Sequence, residues 1–191
     1  MLLRFLEVLL EWNSKMNLVG VSGKTRIVNE LILDSMIPVP CLPEKGNMVD
    51  FGSGAGFPAM ILKILKPGLD MRLIESNGKK CNFLKHAIRS LKLKGISPVN
   101  DRIESVSDSL KAWGCEIVTS RAMASLEKVV DLSYPLIEPG GIIVGFLGKS
   151  GKEEIEKNQG FILKYNLKLV KSISYNLPGA ESGRTTVILQ K

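Results

Sequence analysis

The chain shows its architecture most clearly at Met48-Val49-Asp50-Phe51-Gly52-Ser53-Gly54-Ala55-Gly56-Phe57-Pro58. A short apolar run ends in an acid, three glycines follow at alternate positions, and a proline opens a second apolar segment. Glycine lets the backbone pass close to a ligand, and proline suits the first turn of a helix, where its missing N–H costs nothing. The segment therefore predicts a strand, a tight turn and a helix whose unpaired N–H groups face a ligand.

The spacing of the glycines distinguishes two classes of nucleotide-like ligand. The dinucleotide fingerprint is G-x-G-x-x-G, but here the third glycine comes one position early and Phe57 stands where the fingerprint has glycine. The pattern D-x-G-x-G-x-G is instead similar to motif I of the Rossmann-like methyltransferases, which use S-adenosylmethionine. By that resemblance Asp50 faces the methionine ammonium. The turn beside the methionine and adenosine then consists of Gly52, Ser53, Gly54 and Gly56.

A second acid follows the next predicted strand. Residues 70–74 are apolar enough for a strand, and Glu75 and Ser76 come directly after it. An acid at this point suits a bidentate grip on ribose hydroxyls. Because dinucleotide-binding enzymes carry an acid in the same place, Glu75 does not separate the two ligands. A tight turn that binds nothing is the alternative for the whole motif.

Size and composition indicate one compact domain. The chain has 191 residues, of which 45% are hydrophobic, which favours a buried core over disorder. Glu7 and Glu11 interrupt the first apolar run, so an amphipathic helix is expected there in place of a signal peptide. No apolar stretch is long enough to span a bilayer. With widely spaced cysteines and no C-x-x-C pair, we expect a cytoplasmic protein with free thiols.

The charge balance favours a polyanionic partner. The net charge is +7, which is typical of proteins that bind nucleic acid. Basic residues gather at Lys63, Lys66 and along residues 79–94, where an ordinary solvated helix face is an equal alternative. The chain's single histidine, His86, is expected to face solvent. We expect no metal site, because histidine-rich zinc sites are excluded by this count.

Strands and helices alternate after a helical N-terminal region. We expect an extension over residues 1–45, with helices in its first apolar run and over 25–36, and a Rossmann-like core over 46–191. The core strands are predicted at 47–51, 70–74, 96–100, 116–120 and 142–147, with helices at 58–65, 79–91, 125–137 and 152–159. Residues 167–174 and 185–190 have no helix between them and predict a β-hairpin. This α/β pattern is that of class I methyltransferases, a seven-stranded sheet of order 3-2-1-4-5-7-6 with helices on both faces.

Several short segments, in order along the chain, point to one family. They are W-N-x-x-x-N-L at 12–18, L-D-S at 33–35, G-x-G-x-G-F-P at 52–58, E-S-x-x-K-K-x-x-F-L at 75–84, R-x-E at 102–104, S-R-A at 120–122 and Gly183-Arg184. Each is weak alone, but the ordered set resembles the RsmG family, also called GidB, of small-subunit ribosomal RNA methyltransferases.

The resemblance implies an activity. The family transfers a methyl group from S-adenosylmethionine to N7 of a guanine in the 530 loop of 16S rRNA, the family's position guanine 527. Guanine N7 has a free lone pair and no proton to remove, so no general base is required. The expected partner is therefore 16S rRNA or the small ribosomal subunit, and the protein is expected to be a monomer. A different methyl acceptor and a non-catalytic NAD-type module are the alternatives.

The resemblance also implies roles for residues outside the glycine turn. The residues expected to contact the cofactor are Gly52, Phe57, Ile103, Glu104 and Arg121. Arg121 follows the fourth strand and is expected to meet the methionine carboxylate or the RNA. Arg102 and Arg184 are expected to contact phosphate or guanine, which an arginine fork matches well, so these three arginines are the catalytic candidates. Surface ion pairs are the alternative for the arginines, and helix packing is the alternative for Phe57.

Overall fold

The computed structural model describes residues 1–121, 125–180 and 182–191. Ala122, the last residue of the S-R-A segment, lies outside them. The α-helices are α1 (Leu2–Met16), α2 (Lys24–Ile27), α3 (Leu33–Met36), α4 (Ala59–Leu65), α5 (Gly78–Ser90), α6 (Ile103–Ala112), α7 (Leu126–Ser133), α8 (Gly151–Lys157) and α9 (Gln159–Lys164). The strands are β1 (Gly46–Phe51), β2 (Leu69–Ile74), β3 (Ile96–Val99), β4 (Cys115–Arg121), β5 (Ile137–Leu147), β6 (Lys168–Tyr175) and β7 (Arg184–Gln190).

The seven strands form one sheet of order β3-β2-β1-β4-β5-β7-β6, which confirms the predicted topology. The first five strands run parallel. The last two form the predicted hairpin, in which β7 pairs antiparallel with both β5 and β6. The carboxyl ends of β1, β2 and β4 therefore meet at one edge, where ligands bind in open α/β sheets.

The apolar core lies in two layers, one on each face of the sheet. Successive residues of a strand point to opposite faces. Met48 of β1 accordingly joins a cluster with the N-terminal helices, α4 and α5, while Val49 joins a cluster with α6 to α9. Phe5 and Leu9 of α1 are fully buried in the first cluster, so the N-terminal helices share their core with the sheet.

Helix α6, strand β5 and helix α7 differ from the sequence prediction. Helix α6 was not predicted, since three serines and charged residues dilute the apolar positions Ile103, Val106 and Leu110 that give it a buried stripe. Strand β5 begins at Ile137, earlier than predicted, because residues 138–141 form an irregularity in its pairing with β4 and do not turn the chain away. Helix α7 ends at Ser133 and not at the predicted residue 137, because Pro135 has no N–H with which to continue the helix.

The predicted helix over 25–36 is interrupted by a π-helical turn. Residues Val28–Ile32 carry the wider turn between α2 and α3, and the N–H of Leu33 reaches back to the carbonyl of Val28. A short 3-10 helix, Val39–Cys41, then leads to β1. Single π turns inside α-helices are frequent at functional sites, and this one lies next to Asp34.

Candidate functional site

The glycine turn joins β1 to α4 with three left-handed residues. Gly52, Gly54 and Gly56 have φ values of 64°, 55° and 86°, a region that other residues rarely adopt. A Cβ on Gly56 would collide with Met60 of α4, whereas a Cβ on Gly54 would meet only the Gly52 carbonyl oxygen, at 3.7 Å. Gly56 therefore serves helix packing, and Gly54 leaves open space above the turn.

Asp50 carries a buried carboxylate that is only half satisfied. It is 1% exposed, and Oδ1 accepts a hydrogen bond of 2.6 Å from the hydroxyl of Thr119 on the neighbouring strand. Oδ2 has no hydrogen-bond partner in the described part of the chain. Burial raises the pKa of Asp50 to about 7, although Arg121 opposes the rise. Since a buried polar atom without a partner is costly, Oδ2 fits a cationic ligand group such as an ammonium.

Glu75 is fixed at the opposite side of the turn. Its Oε2 accepts from the N–H of Gly54 and its Oε1 from the N–H of Asn77, both at 2.8 Å. Asn77 in turn caps α5 by accepting from two backbone N–H groups. Each carboxylate oxygen keeps lone-pair capacity beyond its one backbone contact, so the geometry suits two adjacent hydroxyl groups.

A cavity of about 290 Å³ lies at this edge of the sheet. Six of the residues predicted from the sequence line it: Gly52, Glu75, Ser76, Arg102, Ile103 and Glu104. Ile103 and Glu104 form the first turn of α6, which places an apolar side chain and a carboxylate opposite Glu75. Arg102 lies at this cavity too, away from the other two arginines.

Two predicted site residues are buried as supports. The Ser53 hydroxyl donates to the Asp50 carbonyl at 3.1 Å, inside the turn. The Phe57 ring is 6% exposed and packs edge-on against Phe5, with 5.6 Å between the ring centroids. Helix packing, the alternative that the sequence left open for Phe57, therefore describes its side chain.

Arg121 and Arg184 converge on one acid from the N-terminal region. Asp34 Oδ2 lies 2.8 Å from Nε of Arg121 and 3.1 Å from Nη1 of Arg184. Its Oδ1 accepts a 2.7 Å hydrogen bond from the hydroxyl of Tyr175. Arg121 also donates from Nη2 to the Glu30 carbonyl oxygen at 3.1 Å. We call Asp34, Arg121, Tyr175 and Arg184 the Asp34 cluster.

Sequence reasoning missed the role of Asp34, although the L-D-S segment contains it. The available signal is an acid that directly follows the apolar run Leu31-Ile32-Leu33 in a helical segment. Asp34 is 1% exposed, and buried acidic side chains are rare unless they are paired. No sequence pattern indicated that Tyr175, at the end of β6, belongs to the site.

Three predictions about basic and aromatic side chains need correction. Lys63 is not part of a nucleic-acid surface: it is 3% exposed, donates to the carbonyl oxygens of Pro67 and Leu69, and has a pKa lowered by burial. Lys66 forms an ion pair with Glu44. His86 does not face solvent freely but is half-buried against Trp12, with ring centroids 5.0 Å apart.

Within residues 1–121, 125–180 and 182–191, no helix is long and apolar enough to cross a membrane. In these ranges no three side chains of the metal-binding types come together as a potential metal site.

Comparison with known proteins gives a consistent result. The model of the GidB family, described as rRNA small subunit methyltransferase G, matches residues 1–177. A ribosomal RNA small subunit methyltransferase G from Chloroflexus aggregans is 34% identical over 98% of this chain and 79% of its own length. Another from Geobacter sp. strain M21 is 31% identical over 97% of this chain and 85% of its own length. The crystal structure of M. jannaschii TYW2 in complex with AdoMet shares the fold, with a TM-score of 0.67 at 18% identity over 90% of this chain and 77% of that one.

Proposed function

The chain belongs to the rRNA small subunit methyltransferase G family, and from this premise we propose that it methylates N7 of a guanine in the 530 loop of 16S rRNA with S-adenosylmethionine as donor. The observation that carries the proposal is the buried Asp50 carboxylate, whose Oδ2 has no partner among the described residues, next to the glycine turn. The cofactor's methionine ammonium would supply the missing partner and the missing positive charge.

The residues around the turn suit the rest of that cofactor. When bound, S-adenosylmethionine supplies an electrophilic methyl group on a sulfonium. Glu75, whose position is fixed by Gly54 and Asn77, would accept hydrogen bonds from the ribose hydroxyls with its carboxylate oxygens. Ile103 offers an apolar contact for the adenine, and Glu104, one residue later in the first turn of α6, offers an acceptor for its exocyclic amine.

The acceptor side of the site lies along the same edge, towards β4 and the hairpin. Arg121 ends β4, and Arg184 begins β7. Arg184 lines two further cavities, one with Lys149 and Lys152 and the other with Arg26. Guanidinium groups match phosphate oxygens and guanine O6, so this basic edge suits an RNA loop with one guanine turned towards the cofactor.

Methylation of N7 requires little general acid–base catalysis by the protein. Because N7 already has a lone pair, the residues need to hold the guanine in line with the methyl group, and such positioning is worth ~7–11 kcal/mol of barrier. The chain's single histidine, His86, lies on α5 and contacts Trp12 and Ser90, so the proposed reaction does not depend on it. Arg102 and Arg121 remain the candidates that orient the base or the cofactor.

The test is methyl transfer from labelled S-adenosylmethionine to small-subunit particles and naked rRNA that lack the modification. Cleavage at 7-methylguanine maps the product, and Gly54→Val serves as the matched control without cofactor binding. Label at one guanine of the 530 loop supports the proposal. Label elsewhere, or no label from a protein that binds S-adenosylhomocysteine, rules out this acceptor.

Two further measurements separate the alternatives. Binding to RNA weakens steeply with salt, by a slope of about −0.7 per phosphate contacted on a single strand, whereas binding of a small uncharged acceptor does not. Displacement of S-adenosylhomocysteine by NAD would favour an NAD-type module instead.

A further inference from the structure

Asp34 stands apart from the cofactor cavity, on the helical segment that precedes β1. Its carboxylate is 1% exposed, while the side chains of Arg121 and Arg184 are 16% and 27% exposed. Both arginines share its Oδ2, and Tyr175 donates to its Oδ1. The acid therefore lies beneath two guanidinium groups that retain an exposed edge.

We propose that Asp34 is a positioning residue, which holds Arg121 and Arg184 in the arrangement that receives the RNA. The inference rests on the proposed function, since it assigns these arginines to the acceptor side. It makes the N-terminal helical segment a working part of the acceptor site, in addition to its packing against the sheet.

The contacts explain how one carboxylate orients two arginines. Like charges this close repel each other, and the shared Oδ2 offsets that repulsion. Arg121 is held by Nε to Asp34 and by Nη2 to the Glu30 carbonyl, so the plane of its guanidinium is fixed. Arg184 uses only Nη1 towards Asp34. An arginine has five N–H donors, which leaves most of the Arg184 donors for a ligand.

The remaining N–H donors of Arg184 border two cavities. The same side chain lines a cavity of about 280 Å³ with Lys149 and Lys152, and one of about 540 Å³ with Arg26 on the far side. Lys149 and Lys152 follow the carboxyl end of β5, at the same edge of the sheet as Arg121. Glu153 also lines the first cleft, which keeps an excess of basic side chains, whereas in the second Arg26 is paired with Glu30. Asp34 thus holds Arg184 beside a basic cleft that suits a phosphate of an RNA strand.

The test compares Asp34→Asn with Glu11→Gln as a matched control. Both changes remove one negative charge from the N-terminal helical region, but the Glu11 carboxylate is exposed on α1 and pairs with Lys15 of the same helix. For each variant we would measure kcat and KM for small-subunit RNA, the Kd for that RNA, the Kd for S-adenosylhomocysteine, and Tm.

Asp34→Asn is expected to lower kcat/KM for RNA at least tenfold, with the Kd for S-adenosylhomocysteine changed less than threefold. Glu11→Gln should stay within twofold of the wild type. Adding Asp34→Asn to a variant that carries both Arg121→Gln and Arg184→Gln should cost no more than a further twofold, because the acid acts through these two arginines. An Asp34→Asn protein with unchanged kcat/KM, or with equal losses in RNA and cofactor binding, would overturn the inference.

Two arms keep the test decisive. If Asp34→Asn does not fold, Tyr175→Phe removes one hydrogen bond to Asp34 and keeps both arginine contacts; a two- to fivefold loss of kcat/KM supports the inference, and no loss contradicts it. If the wild type transfers no methyl group to this RNA, the proposed function fails, while the RNA Kd of the Asp34→Asn and Glu11→Gln variants still decides the role of Asp34.

Discussion

Replacing Asp50 by asparagine should make the cofactor-free protein more stable at high pH and unable to bind its cofactor. The ordinary pKa of 3.8 rises to about 7 on folding because the carboxylate is buried. A carboxyl whose pKa is raised in the folded state stabilises the fold most at low pH, and that contribution is lost as pH rises towards 7. At pH 8, where the folded group ionises despite its burial, the cost to stability is about 4 kcal/mol. At pH 5 the folded group stays protonated while the unfolded one ionises, and the cost is about 2 kcal/mol.

Asparagine cannot ionise, so the free energy of unfolding gained by Asp50→Asn should be larger at pH 8 than at pH 5 by roughly 2–3 kcal/mol. The new amide leaves a donor without a partner, at a cost of about 1–3 kcal/mol, but this cost is the same at both pH values and cancels in the difference. Urea unfolding of both proteins at the two pH values gives the number.

Calorimetry with S-adenosylhomocysteine supplies the second half of the prediction. Loss of the carboxylate removes the counter-charge for the ammonium, so affinity should fall at least a hundredfold, about 2.7 kcal/mol. An equal change in stability at pH 5 and pH 8 would show that Asp50 does not titrate between them. Retained affinity would refute its assignment to the cofactor.

Four further substitutions test separate parts of the site. Gly54→Val should abolish S-adenosylhomocysteine binding and leave RNA affinity within threefold. Gly56→Val should instead lower Tm sharply, because its side chain collides with Met60. If the two variants behaved alike in cofactor titrations and thermal melts, the distinction between the two glycines would be wrong. Arg184→Ala should weaken RNA binding at least tenfold and reduce its salt slope by about 0.7–0.9, with cofactor affinity unchanged; an unaltered slope would exclude a phosphate contact. Phe57→Ala should destabilise the protein by about 3–5 kcal/mol with modest effect on cofactor Kd at low temperature, and the reverse pattern would place the ring in the site.

Local chemistry made much of the cofactor side predictable. The glycine turn and Glu75 are set by residues close in sequence, so their spacing alone indicated their arrangement. The strand order was predicted from the resemblance of the alternating elements and terminal hairpin to the class I methyltransferases, and it is confirmed. Helix α6 was not predicted because its buried stripe has only three apolar side chains among polar neighbours.

The Asp34 cluster could not be predicted from the sequence for a different reason. Its contacts join residues 87, 141 and 150 positions apart, and no periodicity or spacing rule reaches that far. The start of β5 could not be predicted for the same reason. Glu138-Pro139-Gly140-Gly141 has the composition of a turn, and only the pairing of β5 with β4 keeps this segment in the sheet.

The contact between Asp34 and Arg184 also constrains when the protein becomes competent during its synthesis. Strand β7 lies between β5 and β6 in the sheet although it is the last to be made, and Arg184 emerges 150 residues after the acid that it meets. Contacts this distant in sequence form late in folding. The residues of the glycine turn and of the cavity beside it are therefore all made before Arg184, so the proposed acceptor site can be complete only once translation has passed residue 184.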